Sequence, residues 1–470
     1  MDSIIEVNKK VGVNMLEIGQ IIEVNIMDIN YEGKGVAKVD DFVVFVEGTI
    51  TGDFVKIKIS QKKKNYAIGK LLKIIKKSND RVDPSCKYST QCGGCKLMHM
   101  DYKEQLIYKK NRVINELKRT SVNIDETIIN DTIGMEEPFR YRNKTAFSVT
   151  KKNDEIVIGP YEEKTYNTVD ISSCMLQNKQ ADEIIKFFKS AMKKYNIEPY
   201  DKKTSKGIIR NLVIRSNKQN EIMLIIVTNT EYFPNKDTIL KELTSKIKEI
   251  KTVVQNINNK NTNLIMGNKN ITLFGEGIIN DTIDNLIFTI SPDTFFQINS
   301  QQTQRLYKIA LDYAELKPDD ICFDLYCGIG TISLMAAKHA KKVYGVEIVE
   351  QSIINAIENA RFNHIENTEF FAGKTEKILP MLYNKNIVPD VIILDPPRKG
   401  CEKEVIDTII KMSPNKVVYV SCNPSTLARD VKLLENANYK LEKIQTVDQF
   451  PWSTHVESII LMTNCGSEEK

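Results

Sequence analysis

VSCNPSTLARD (Val420–Asp430) sets Cys422 where an apolar run ends and Pro424 breaks the chain. A free thiol there is either a small packed hydrophobe or a nucleophile at the mouth of a pocket. Other residues capable of chemistry occupy comparable places. FDLYCGIGT contains Gly328 and Gly330, which permit a tight turn that brings backbone N–H groups to a ligand. Glu347 closes the next apolar run about twenty residues later, the spacing at which a carboxylate takes hydrogen bonds from ribose hydroxyls. Ser333 stands where a dinucleotide fingerprint has its third glycine, so a nucleoside cofactor such as S-adenosylmethionine is expected instead. In ILDPPRKG, two prolines after Asp395 fix an extended, rigid loop. Arg398 follows them where amino-methylating enzymes carry a base-stacking aromatic, which disfavours methylation of an exocyclic amine. His455 and Glu457 of HVE alternate along the last apolar run and are expected on one strand face.

These residues need a common edge. From Gln302 onward the chain alternates apolar runs (ICFDLY, KVYGVE, TEFFAG, DVIILD, KVVYVSC, HVESIILM) with amphipathic helical stretches. That pattern predicts a doubly wound, parallel α/β sheet, in which ligands bind outside the carboxyl ends of the strands. Before it, residues 19–77 carry short β-rich runs separated by glycine turns, the pattern of a small barrel. Between them the chain is mixed, with a helix expected over Asn178–Lys194 and strands at GIIRNLVIRS and EIMLIIVTN. The expected division is a barrel over 1–78, a central α+β domain over 79–295 and a Rossmann-like domain over 296–470.

The set SPDTFFQIN, FDLYCGIGT, VYGVE, ILDPPRKG, VSCNPSTLARD and HVESIILM resembles the RNA uracil-5-methyltransferase family. The resemblance implies methyl transfer from S-adenosylmethionine to C5 of a uracil in RNA. It assigns Cys422 as nucleophile, Glu457 as base, and Gln297, Tyr326, Glu347 and Asp395 as cofactor contacts. The chemistry explains these residue types independently. Uracil C5 is a poor nucleophile, but thiolate addition at C6 turns the ring into an enolate whose C5 attacks a sulfonium methyl. A base must then take the C5 proton so that the thiolate can leave. Such a route calls for a cysteine of depressed pKa and a positioned carboxylate. A helix starting near Ser425 would favour the thiolate through its dipole.

DPSCKYSTQCGGCKLMH places Cys86, Cys92 and Cys95 within ten positions. A metal or iron–sulfur centre of four thiolates needs one more ligand. Cys174 supplies it by elimination, because the other five cysteines lie in the methyltransferase segment or the tail. The arrangement resembles the [4Fe-4S] site of ribosomal RNA members of the family, and the barrel resembles a TRAM domain, an RNA-binding module. Together they imply 23S ribosomal RNA over transfer RNA, whose enzymes typically lack both. A radical methylthiotransferase would use C-x₃-C-x₂-C where this chain has C-x₅-C-x₂-C. A non-catalytic RNA-binding protein would not need both Cys422 and Glu457.

Net charge is only +5, yet Thr51–Arg81 holds ten Lys or Arg against two Asp, a stripe suited to a polyanion. The basic–aromatic FRYRNKTAF is expected to grip phosphates, with Phe139, Tyr141 and Phe147 available to stack on bases. No apolar run reaches the roughly 18 residues needed to cross a bilayer. MDSIIEVNKK lacks a secretory pattern, and nine cysteines without export indicate a reducing compartment. A cytoplasmic monomer is expected.

Overall fold

The computed structural model describes residues 16–262 and 264–466, so the N-terminal stretch searched for a secretory pattern lies outside the described residues. Two compact units emerge. One gathers the chain up to Ser85 with Cys95–Tyr108 and Trp452–Thr454; the other gathers Cys86–Gly94, Lys109–Pro451 and the chain from His455. Among the described residues no helix is long and apolar enough to cross a membrane.

The first unit is built on β1 (Ile21–Asn25), β2 (Asp28–Ile29), β3 (Gly35–Val39), β4 (Phe42–Val46), β5 (Phe54–Lys62) and β6 (Tyr66–Lys76), in the order β1-β5-β6-β4-β3-β2. Alternation along β5 sends Val55, Ile57 and Ile59 into the core and leaves Lys56 and Lys58 outside. Three register shifts between β5 and β6 bend this sheet around its core. On the outer face, Lys56 opposes Lys73 and Lys58 opposes Lys70.

Helix α1 (Tyr102–Arg119) is shared in sequence between the units. The second unit then runs through β7 (Lys144–Lys152), β8 (Glu155–Gly159), α2 (Lys179–Lys194), β9 (Ile209–Ser216), β10 (Ile222–Thr228), α3 (Lys236–Lys246), β11 (Ile250–Ile257) and β12 (Lys269–Phe274). Its first sheet has the order β12-β11-β10-β9-β7-β8. Strands β9 and β10 are buried along their whole length because both faces are covered. Leu212, Ile214, Leu224 and Ile226 pack against α2 and α3 residues, whereas Val213, Met223 and Ile225 join the core of the next sheet.

A hairpin of β13 (Ile279–Ile283) and β14 (Leu286–Ile290) leads to α4 (Ser300–Ala314). There follow β15 (Ile321–Leu325), α5 (Thr331–Ala336), β16 (Lys342–Glu347), α6 (Glu350–Phe362), β17 (Thr368–Ala372), α7 (Thr375–Asn384), β18 (Val391–Leu394), α8 (Lys403–Met412), β19 (Lys416–Ser421), α9 (Pro424–Glu435), β20 (Tyr439–Val447) and β21 (Glu457–Asn464). This seven-stranded sheet has the order β17-β16-β15-β18-β19-β21-β20. The first five strands in chain order pair in parallel, as the alternation predicts. Strand β21 runs antiparallel between β19 and β20, so the sheet is mixed at that edge. Strand β20, YKLEKIQTV, escapes the sequence reading because its first half carries Lys and Glu, as suits an edge strand.

Candidate active site

The carboxyl ends of the parallel strands converge on one cavity of about 770 Å³ within the second unit. Gln297, Tyr326, Glu347, Asp395, Cys422 and Glu457 all line it. Tyr326 and Asp395 each follow the last residue of their strands, β15 and β18, and Glu347 ends β16. Cys422 bridges β19 and α9, whose first turn begins with Pro424 and is capped by Asn423 accepting from the Ser425 N–H. Gln297 sits two residues before Asn299, which caps α4. Glu457 opens β21 and is buried. His455 lies before that strand, not on it, yet lines the same cavity.

The Glu347 carboxylate accepts from the Gly328 N–H at 3.3 Å and the Val349 N–H at 2.9 Å, which fixes its orientation after the glycine turn. Beyond it Ile348 and Val349 are exposed apolar surface on the cavity wall, as is Phe295. Asp395 accepts from Gln297 Nε2 at 3.5 Å. Its loop is fastened to α9. Asn423 Nδ2 donates to the Arg398 carbonyl at 2.8 Å, and Arg429 donates to the carbonyls of Lys399 and Cys401. Buried Asp430 accepts from the Cys401 N–H at 2.9 Å and from Tyr419 Oη at 2.7 Å. Cys327 and Cys401 are buried, in keeping with packing roles.

Carboxyls and cations both line the cavity, Glu347, Asp395 and Glu457 among the former and Lys374, Arg398 and Lys399 among the latter. Burial pushes Asp395 up to about 7, against the hydrogen bond from Gln297. Burial, and then the charge of Asp395, raise Glu457 well above the usual carboxylate range, with Arg398 opposing them. The Cys422 thiol is not depressed, as the chemistry had led us to expect. Burial, then Glu457 and Asp395, push it up to about 11, against the pull of Arg398. Loss of solvent, with two facing carboxyls added to it, sets the direction of the shift. His455 is pushed down to about 4 by burial and by Arg398, Arg112, Lys109 and Arg142.

Asp324 escaped the sequence reading. Asp324, inside the apolar run ICFDL, is fully buried, accepts from Ser333 Oγ at 2.5 Å and is pushed up to about 7 by burial. A charge in the middle of a strand core was the available signal. Lys374 and Thr375, on the wall after β17, fill positions for which no contact could be assigned from sequence.

The FRYRNKTAF segment corrects another expectation. Phe147 and Tyr141 are buried, the latter donating to the Pro451 carbonyl, so neither can stack on a base. Arg140 is committed to the carbonyls of Cys174 and Gln177 and to Asp182. The run is β-rich and one face of it belongs to the core.

Cys86, Cys92 and Cys174 fall in the second unit and Cys95 in the first. The loop carrying Cys86 and Cys92 is stitched to that carrying Cys174: Tyr88 Oη lies 3.1 Å from Ser172 Oγ and accepts from its N–H. Burial raises the thiols of Cys92 and Cys174, and the neighbouring thiols add to it; Cys86 lies near both, and Arg142 opposes the rise. Donors of this chemistry suit a thiolate-bound centre. Among the described residues, however, no group of three or more His, Cys, Asp or Glu is gathered closely enough to hold a metal ion.

Residues 101–465 match the family model described as tRNA (uracil-5-)-methyltransferase. The chain belongs to that family. Residues 16–72 match the TRAM domain, so this is an RNA uracil-5 methyltransferase with an N-terminal TRAM unit. An uncharacterized RNA methyltransferase of Clostridium acetobutylicum is 46% identical over 94% of this chain and 96% of its own. One from Clostridium tetani is 45% identical over 93% and 95%. Among solved structures, the Pyrococcus abyssi tRNA (uracil-54, C5)-methyltransferase in complex with S-adenosyl-L-homocysteine is 25% identical. It covers 94% of this chain and 100% of its own, with a TM-score of 0.75.

Proposed function

We propose that this methyltransferase uses S-adenosylmethionine to methylate C5 of a uridine in 23S ribosomal RNA, with Cys422 as nucleophile and Glu457 as base. The observation that carries this reading is the convergence of Gln297, Tyr326, Glu347, Asp395, Cys422 and Glu457 on one cavity. S-adenosylmethionine, when bound, would supply the electrophilic methyl that C5 takes up. Glu347, oriented by two amides, is suited to ribose hydroxyls; Gln297, Tyr326 and Asp395 complete the cofactor wall. Cys422, once its proton has passed to solvent, adds as the thiolate to C6 of the uracil, and the enolate so formed makes C5 nucleophilic. Glu457 afterwards takes the C5 proton, the C6–S bond breaks and the C5–C6 double bond returns. A buried carboxyl held well above its usual range takes up a proton readily once it is ionised. Arg398 opposes Glu457 and Asp395, the two groups that with burial keep the Cys422 thiol protonated.

The target uridine must be unstacked to reach a cavity of this kind. Opposed lysines repel one another, so the Lys56–Lys73 and Lys58–Lys70 pairs are relieved by a polyanion lying across β5 and β6. We place RNA backbone there. A [4Fe-4S] cluster on Cys86, Cys92, Cys95 and Cys174 is supported by the sequence pattern and by the electrostatic influence that Cys86, Cys92 and Cys174 exert on one another. The transfer requires no redox step, so the cluster's role is to order the fold or the RNA surface. Iron and sulfide analysis after anaerobic purification tests it; stoichiometric zinc without sulfide would overturn it.

A specific observation favours a second reading. The archaeal enzyme described as acting on tRNA matches nearly the whole chain, so domain architecture alone does not select ribosomal RNA. Mapping 5-methyluridine in ribosomal and transfer RNA from a deletion strain separates the two. Loss from 23S ribosomal RNA supports the first reading, and loss from transfer RNA alone replaces it with the second.

A further inference from the structure

Residues 140–143 form a strut between the loop of Cys174 and the loop that carries Gln297. On one side, the Arg140 N–H donates to the Met175 carbonyl and the Arg142 N–H to the Leu176 carbonyl, each at 2.8 Å. The Arg140 guanidinium reaches the Cys174 carbonyl at 2.7 Å and Asp182 at 3.0 Å. On the other side, the Asn143 N–H donates to the Ile298 carbonyl at 2.9 Å. Asn143 Nδ2 donates to the Gln297 carbonyl at 2.8 Å and to Ser300 Oγ at 3.0 Å. Ser300 Oγ in turn donates to buried Asp281 at 2.9 Å. A single carboxamide thus holds both ends of the turn entering α4, and the side chain leaving that turn meets Asp395.

We infer that Asn143 is a positioning residue: by fixing the Gln297–Ser300 turn it aims the Gln297 carboxamide at Asp395 and the cofactor side of the cavity. The inference rests on the reading of this cavity as the S-adenosylmethionine site, whatever RNA is the substrate. Asn143 itself touches no reacting atom; it acts through Gln297. Two donors in a fixed fork are needed, one for a carbonyl and one for a hydroxyl already donating elsewhere. Asn supplies both, whereas Ser supplies at most one and Ala none.

The test is binding of S-adenosylhomocysteine to the full-length protein by calorimetry, with thermal melts alongside. The variants are Asn143→Ala, Asn143→Ser and Gln297→Ala, and each Asn143 substitution combined with Gln297→Ala. The expected result is about tenfold weaker binding for Asn143→Ala, one lost hydrogen bond of ordinary worth, and a smaller loss for Asn143→Ser. Adding either substitution to Gln297→Ala should weaken binding no further, because the side chain being aimed is already gone. Unchanged binding in Asn143→Ala, or losses that add in the double variants, would overturn the inference. So would a melt of both single Asn143 variants below the assay temperature, which would make Asn143 a folding residue. If the wild-type protein itself failed to bind S-adenosylhomocysteine, the cofactor reading would fall and take this inference with it.

Discussion

The molecule holds two kinds of half-buried thiol. Cys422 stands at a strand end facing the carboxyls Glu457 and Asp395 and the cation Arg398, on the wall of a ligand-sized cavity. Cys92 and Cys174 face other thiols and Arg142, on loops stitched together by Tyr88 and Ser172. Burial raises the pKa in both places, so the shift alone does not identify a nucleophile. What differs is the company. Cys422 has carboxyls and open space beside it, and Cys92 and Cys174 have each other and Cys86. A thiol is assigned its task by its neighbours.

Four measurements can break or sharpen this contrast. The largest effect belongs to Cys422→Ala, which should cut methyl transfer by at least about 10⁴-fold while leaving RNA binding intact. Appreciable turnover in that variant would place the nucleophile elsewhere. Next, Glu457→Gln should lower turnover by roughly 10²–10⁴-fold, because methyl transfer proceeds while release of the enzyme is blocked. Unaffected turnover would mean that another base acts. On the other side of the comparison, Cys174→Ser should cost on the order of 1–3 kcal/mol of stability and reduce the iron content. A melt and an iron content equal to wild type would remove the distinction between the two thiol sites.

The smallest effect is electrostatic and depends on pH. With its pKa near 11, Cys422 is protonated at neutral pH in the free cavity, and its thiolate fraction grows as pH rises. Alkylation by iodoacetamide, followed at Cys422 by peptide mass spectrometry, should therefore accelerate about tenfold per pH unit between pH 7 and 9. Arg398→Gln removes the charge that lowers this pKa, so it should slow the reaction at fixed pH. A plateau reached below pH 9 would show a thiol already ionised.

Much of the candidate site's gathering on one cavity is legible in the sequence, and for a physical reason. A parallel sheet delivers its ligands to the carboxyl ends of its strands, so Glu347, Asp395 and Cys422 announce themselves as polar residues closing apolar runs. Glu457 was equally visible, although His455 proved to precede the strand. Less legible was anything decided by packing across the chain. Strand β20 hid behind Lys and Glu at a sheet edge. Tyr141 and Phe147 looked available to RNA and are core, because their partners lie far away in sequence. The raised pKa of Cys422 depends on Glu457 and Asp395 facing it, which no local pattern reveals. Asn143, read only as part of a basic patch, owes its placement to Gln297 and Ser300, more than 150 positions away.

The central claim is that Cys422 attacks uracil C6 within the cavity. Incubation of the protein and S-adenosylmethionine with 5-fluorouridine-substituted target RNA tests it most directly, because C5 then carries no removable proton and the covalent adduct cannot resolve. The account predicts a denaturation-resistant protein–RNA complex, with the nucleotide mapped by mass spectrometry to Cys422. Formation of that complex by Cys422→Ala, or its mapping to another residue, would contradict it.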